Sequence, residues 1–158
     1  MRKLVFARML AVAGMTLISA SLAVAGENWL GTWKLNTAKS KFSPGPAPQS
    51  MTLKFESTPD GIKLTSQGVN AEGQPTAGGY TAKFDGKEVP VTGNPNADTG
   101  APRKIDDNNY ENTWKKGGKV TITSKAVVSP DGKTLTMTQS GTNAEGKAVS
   151  STVVYEKQ

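Results

Sequence analysis

Apolar and polar residues alternate one for one along much of the chain. Met51, Leu53 and Phe55 are interleaved with Thr52, Lys54 and Glu56, and Tyr80, Ala82 and Phe84 with Thr81, Lys83 and Asp85. Val120 and Ile122 alternate with Thr121 and Thr123, and Leu135 and Met137 lie among Thr134, Thr136 and Thr138. A period of two is what a strand with one buried face requires, because successive side chains point to opposite sides. Between these runs lie Pro59-Asp60-Gly61, Asp85-Gly86, Gly117-Gly118 and Pro130-Asp131-Gly132, residues that tolerate tight reversals. No segment carries a long helical stripe. The pattern predicts an all-β protein, an antiparallel up-and-down β-barrel of roughly eight to ten strands.

Two stretches echo each other. "MTLKFESTPDGIKLTSQGVNAEGQPTAGGYTAKF" from Met51 and "ITSKAVVSPDGKTLTMTQSGTNAEGKAVSSTVVYE" from Ile122 both run strand, Pro-Asp-Gly turn, strand, Asn-Ala-Glu-Gly turn, strand. A duplication would produce this, and so would a meander that reuses good turns. In either case Asn70 to Gly73 and Asn143 to Gly146 are expected to be hairpin loops. Two other segments break the strand pattern. Asn36 to Phe42 has room for one short helical turn at most, with Asn36 as its cap, and "SPGPAP" from Ser43 to Pro48 bars both helix and central strand. Gly93 to Pro102, "GNPNADTGAP", is expected to be the longest loop, at one mouth of the barrel.

The beginning of the chain reads differently. Arg2, Lys3 and Arg8 lead into an apolar run from Met9 to Leu22, and Ala23-Val24-Ala25 follows. That is the layout of a cleaved secretory signal, residues 1–25. The run is short and rich in Ala, Gly and Ser, which argues against a membrane span. No cysteine stands at the cleavage point to carry a lipid. The expectation is an exported, soluble protein, periplasmic or extracellular, with residues 26–158 as a single barrel domain.

In that portion, sixteen cations against thirteen acids leave a net charge of +3. Arg103 is its only arginine and the lysines are scattered singly, so nucleic acid is not an expected partner. Leu, Ile, Val and Phe make up only 20 of its 133 residues. Closure into a barrel suits so thin an apolar supply, since it satisfies the backbone while the interior stays partly polar. With no cysteine, stability must come from burial and strand pairing.

The same composition narrows the chemistry. The chain has neither histidine nor cysteine, which removes the commonest general base near neutral pH, Cys and Ser-His nucleophiles and nearly all zinc sites. Asp106, Asp107 and Glu111 remain, but adjacent residues on a strand diverge, so a solvated edge or loop accounts for the acid pair. Asn94, Asn96 and Asp98 alternate like calcium ligands. Their glycine comes one place late, however, and no glutamate stands at the twelfth position. No metal, no cofactor and no catalysis are expected. The better candidates are aromatic: Tyr110, Asn112 and Trp114 on one strand face, Tyr80 and Phe84 on another, and Tyr155 on the last. Turned inward, they would either fill the barrel or line a cavity of apolar walls, phenol hydroxyls and one amide, suited to a small apolar or amphipathic ligand.

Trp29-Leu30-Gly31-Thr32-Trp33-Lys34-Leu35 resembles the opening strand of the calycin barrels, the lipocalins and fatty-acid-binding proteins, whose first strand carries Gly-x-Trp. The closing Val154-Tyr155-Glu156-Lys157 is also similar to the end of the fatty-acid-binding branch. The resemblance implies a barrel that carries a small ligand. This chain departs from it at Ser43 to Pro48, where that branch inserts a helical lid, and at Val153, where the arginine of an Arg-x-Tyr carboxylate clamp would stand. Lipocalins stack a basic side chain over the tryptophan, a role open here to Lys157 or Arg103. The stretches "GTWKLNTAKSKFSPGPAP" and "PVTGNPNAD" further resemble a group of small exported bacterial proteins.

From the residues themselves, Trp33 shares parity with Gly31 and Leu35 and is expected to plug one barrel end, with Gly31 leaving room for a crossing chain. Such a plug buries roughly 150–250 Å². Trp29 fits either a plug or a ligand contact. The alternative to small-molecule binding is a structural or protein-interaction module of the cell envelope, which needs an exposed apolar patch or an unpaired edge strand.

Overall fold

The computed structural model describes residues 28–158, and the expected signal at residues 1–25 lies outside the described residues. Ten strands follow one another: β1 (Gly31–Leu35), β2 (Ser50–Thr58), β3 (Gly61–Val69), β4 (Pro75–Ala82), β5 (Val89–Pro90), β6 (Thr99–Lys104), β7 (Asn109–Lys116), β8 (Lys119–Val128), β9 (Thr134–Thr142) and β10 (Ala148–Lys157). One 3-10 turn, Thr37–Lys39, follows β1, and Asn36 caps it by accepting from the Lys39 N–H.

All ten strands form one sheet in the order β4-β3-β2-β1-β10-β9-β8-β7-β6-β5, antiparallel throughout. Neighbours in space are neighbours in sequence, except that β10 inserts between β1 and β9. The two ends of the sheet meet where Gly79 and Thr92 exchange backbone hydrogen bonds of 3.1 and 3.0 Å. The result is a nearly closed barrel. Closure at this seam needs glycine: a Cβ on Gly78 would collide with the Thr92 carbonyl, and one on Gly93 with the Ala77 carbonyl.

The turns form where the sequence places them. Asn70 donates its N–H to the Gln74 carbonyl at 2.9 Å and accepts the Gln74 N–H on its side-chain oxygen at 2.8 Å. Asn143 and Lys147 repeat both bonds at the same lengths. In each case an asparagine side chain substitutes for backbone in closing its own loop. The two echoing stretches are therefore two three-stranded meanders, β2-β3-β4 and β8-β9-β10.

Three expectations need correction. Only Gly93 to Asp98 is loop, because Thr99, Gly100, Ala101 and Pro102 pair with Lys115, Trp114, Thr113 and Asn112 of β7 as the first part of β6. Pro102 has no N–H to donate, and its carbonyl accepts the Gly86 N–H at 2.9 Å. Val120 does not share the inward face of Ile122. The register slips between Trp114 and Lys115, leaving Thr121 as an extra residue, and Val120 turns outward at 57 % exposure. Phe84 lies beyond the last paired residue of β4, yet a positive φ of 55° carries its ring back into the core.

Candidate functional site

The barrel interior has two unlike halves. At one end Trp33 is fully buried, and its indole N–H donates to the Trp29 carbonyl at 2.7 Å. The Lys157 ammonium lies 5.0 Å from the centre of the Trp33 ring and donates to the Asn28 carbonyl at 2.9 Å. What crosses Gly31 is the stem of this lysine: a Cβ on Gly31 would stand 3.1 Å from Lys157 Cε, and its φ of +117° already favours glycine. Of the two basic side chains available to cover the tryptophan, Lys157 does so. Arg103 faces outward and pairs with Glu111 at 3.0 Å.

Trp29 belongs to this plug as well. Its ring lies 4.4 Å from Phe84, 5.2 Å from Tyr110 and 5.6 Å from Phe55, centre to centre. The stack continues up the barrel, with Tyr80 6.2 Å from Phe84 and 5.8 Å from Trp114. Edge-on and tilted contacts of this kind add to the area that each ring buries. A column of aromatics thus fills the plug end and stops near mid-barrel.

Above it the barrel opens into a cavity of about 280 Å³, near the lower limit of small-molecule sites, ~300–1,000 Å³. Met51, Leu53, Trp114, Met137 and Val153 supply apolar wall, and Thr76, Tyr80, Gln139 and Tyr155 supply polar groups. The rim is formed by Asn70 of the β3–β4 turn and by Gly93 to Pro95. No lining residue is charged. Burial raises the Tyr80 and Tyr155 phenols far above their ordinary value, so both stay protonated.

Of the expected binding residues, Tyr80, Trp114 and Tyr155 line the cavity. Phe84, past the end of β4, and Tyr110, at the start of β7, lie in the plug instead, with their rings 5.7 Å apart and Phe84 4.4 Å from Trp29. Asn112 sits between the two halves, 3 % exposed. Its amide lies beside the Tyr80 phenol and is felt by it, yet neither amide atom completes a hydrogen bond with the protein. Gly100 makes room for it: a Cβ there would stand 3.2 Å from Asn112 Oδ1.

The rim is held by the residues that resembled calcium ligands. Asn94 Oδ1 accepts from the Asn96 N–H, Asn96 Oδ1 from Ala144 N–H and Asp98 Oδ2 from Gly117 N–H, at 2.9, 3.1 and 2.9 Å. The bulged Thr121 adds a bond of 2.8 Å from its hydroxyl to the Asn96 carbonyl. These oxygens serve backbone donors, tying the loop to two neighbouring turns. No cluster of three acidic residues suited to a metal occurs among the described residues. Asp106 closes the turn before β7. It accepts from the Asn109 amide and from the N–H groups of Asn108 and Asn109, which holds its carboxyl below the usual range. Asp107 instead pairs with Lys104 at 2.8 Å, so the two acids diverge.

Sequence reasoning missed several cavity residues. Leu53, Met137 and Val153 were legible only as inward positions, and nothing in the alternation distinguishes wall from filling. Gln139 carried a usable signal, being a polar residue in phase with Leu135 and Met137.

The geometry is that of a calycin-like β-barrel with a plugged end and an open one. No protein-family model and no curated protein sequence matches the chain. Among solved structures it is similar to zebrafish ileal bile acid-binding protein complexed with cholic acid, at 12 % identity and a TM-score of 0.50, over 83 % of this chain and 99 % of that one. It is also similar to a protein with unknown function from the DUF3598 family of Nostoc punctiforme, at 17 % identity and a TM-score of 0.48, over 83 % of this chain and 48 % of that one. At such identities the likeness is one of fold. Among the described residues no helix is long and apolar enough to cross a membrane.

Proposed function

We propose that this is an exported, non-catalytic β-barrel that binds a small apolar or amphipathic molecule in the cavity above Tyr80 and Trp114. The observation that carries the reading is the asymmetry of the interior: Trp29, Trp33, Phe55, Phe84 and Tyr110 fill one end, and the other end keeps about 280 Å³ of largely apolar space. Close-packed interiors leave few voids larger than a water molecule, so a space of this size is not an ordinary packing defect. The bile acid-binding neighbour has the same fold, which agrees with this use of the interior. The absence of histidine and cysteine favours binding over catalysis. Export rests on the reading of residues 1–25.

The envelope-module alternative calls for a free strand edge or an apolar patch. The seam at Gly79 and Thr92 leaves little edge, and among the described residues the exposed large apolar side chains are three: Val120 by itself, and Ile105 and Val127 beside one shallow surface depression. Titration with the neutral fluorophore N-phenyl-1-naphthylamine tests the proposal. Wild type should bind it saturably, and Ser66→Phe, which places a ring in the cavity wall, should abolish binding while keeping the melting transition. Binding that survives Ser66→Phe would locate the ligand elsewhere and sink the proposal.

A further inference from the structure

We infer that the cavity selects an electrically neutral ligand with a hydrogen-bonding head, such as a hydroxyl, carbonyl or carboxamide, and that Tyr80, Tyr155 and the Asn112 amide behind them hold that head. The inference rests on the binding function proposed above and specifies the chemistry of its ligand.

Two independent observations support it. The first is the absence of charge from the wall, where every polar contribution is a hydroxyl, an amide or backbone. An ionised head drawn into such a space loses its hydration and meets no counter-charge, which strongly disfavours carboxylates and ammonium groups alike. The second is where hydrogen bonds are left unmade. Among the described residues, the buried side-chain polar atoms without a partner are Thr76 Oγ1, Tyr110 Oη and both amide atoms of Asn112. All belong to inward positions on β4 and β7, the two strands that carry Tyr80 and Trp114 to the cavity. Elsewhere buried polar groups are paired, as Trp114 Nε1 is with Ser124 Oγ at 2.8 Å. Unpaired buried polar atoms are costly and scarce in folded proteins; of these, Thr76 belongs to the cavity wall, Asn112 lies beside the wall residue Tyr80, and Tyr110 stands deeper, in the plug.

The set is also chemically balanced. Asn112 offers one acceptor and two donor hydrogens, while Thr76 and the phenols can each donate or accept. A head that both gives and takes hydrogen bonds matches this set, and a purely hydrocarbon ligand leaves it unanswered. Tyr80 lines the cavity and lies beside the Asn112 amide, so its hydroxyl links a bound head to that amide. Burial keeps all three phenols in their neutral form and adds no charge to the site.

Competition against N-phenyl-1-naphthylamine at about pH 7.4, where the acid and amine heads are ionised, tests the inference with four competitors of equal chain length: decan-1-ol, decanamide, decanoic acid and decylamine. The alcohol and amide should displace the fluorophore at concentrations at least about tenfold lower than the acid and amine, about 1.4 kcal/mol in binding. Asn112→Leu, a substitution of similar volume, should weaken decanamide several-fold more than it weakens the fluorophore. Equal or stronger displacement by decanoate would overturn neutral selection, and so would an Asn112→Leu variant that folds and binds decanamide unchanged. Should that variant not fold, the wild-type series decides alone. If the fluorophore itself does not bind wild type, the binding function fails and this inference with it, a result distinct from binding without discrimination.

Discussion

Replacing Trp33 with phenylalanine separates the plug from the cavity. The substitution keeps an aromatic ring but removes the indole N–H that donates to the Trp29 carbonyl at 2.7 Å. Trp29 is only 2 % exposed, so that carbonyl loses a partner that water cannot easily replace. Leaving a buried acceptor unpaired costs about 1–3 kcal/mol. The smaller ring also leaves a void beside Lys157 and Gly31, worth about another 1–2 kcal/mol by analogy with other core truncations. Together these give about 3 kcal/mol, a large share of the roughly 5–15 kcal/mol that holds a domain folded. For a barrel of this size the melting temperature should fall by about 10 °C. Urea and thermal unfolding followed by circular dichroism measure the loss. Titration of N-phenyl-1-naphthylamine well below the transition should give an unchanged affinity, because neither tryptophan of the plug borders the cavity. Retained stability together with lost binding would refute the division of the interior and make Trp33 a ligand contact.

Other perturbations probe other parts of the barrel. Gly78→Ala should destabilise by about 1–3 kcal/mol through the clash with the Thr92 carbonyl, and hydrogen exchange at Gly79 and Thr92 should accelerate before that of β9. An unchanged melting temperature would show that the seam is not closed as described. Lys157→Met keeps the stem over Gly31 and loses the ammonium, at a cost of a few tenths to about 1 kcal/mol, whereas Lys157→Ala should cost more in the same urea series. Stability should be flat from about pH 9 down to about pH 5.5, since the chain has no histidine. Below that it should decline. The Glu156 carboxyl, hydrogen-bonded first by Lys39 and then by Asn36, is held below its ordinary 4.5, so its contribution is present above that value and is lost as pH falls through the lowered one. A midpoint near neutrality in the thermal melts would contradict this account.

Strand parity made the barrel and most of its inward residues legible in advance. Period-two alternation and Asn-Ala-Glu-Gly turns depend on local chemistry, and a sequence displays local chemistry directly. Val120 shows where that legibility ends: the bulge at Thr121 is a matter of register against β7, and its hydroxyl bonds to Asn96, 25 residues away, neither of which local alternation displays. The candidate site was half legible for a similar reason. Parity assigns Tyr80, Phe84, Tyr110, Asn112, Trp114 and Tyr155 to the interior, but their height along the barrel axis depends on strand stagger. That stagger sends Phe84 and Tyr110 to the plug and leaves Tyr80, Trp114 and Tyr155 at the cavity.

The place of β10 in the sheet has a kinetic consequence. Lys157 and its partner Asn28 are 129 residues apart, and Ser40 is 114 residues from the Val154 N–H that it accepts. Pairings so distant in sequence close large loops and slow the search for the native state. Until Ala148–Lys157 is available, β1 and β9 each lack one neighbour and the wall stays open. A chain made from its amino end therefore completes this fold only after its last strand has emerged. That delay agrees with the export proposed above, which needs a chain still unfolded.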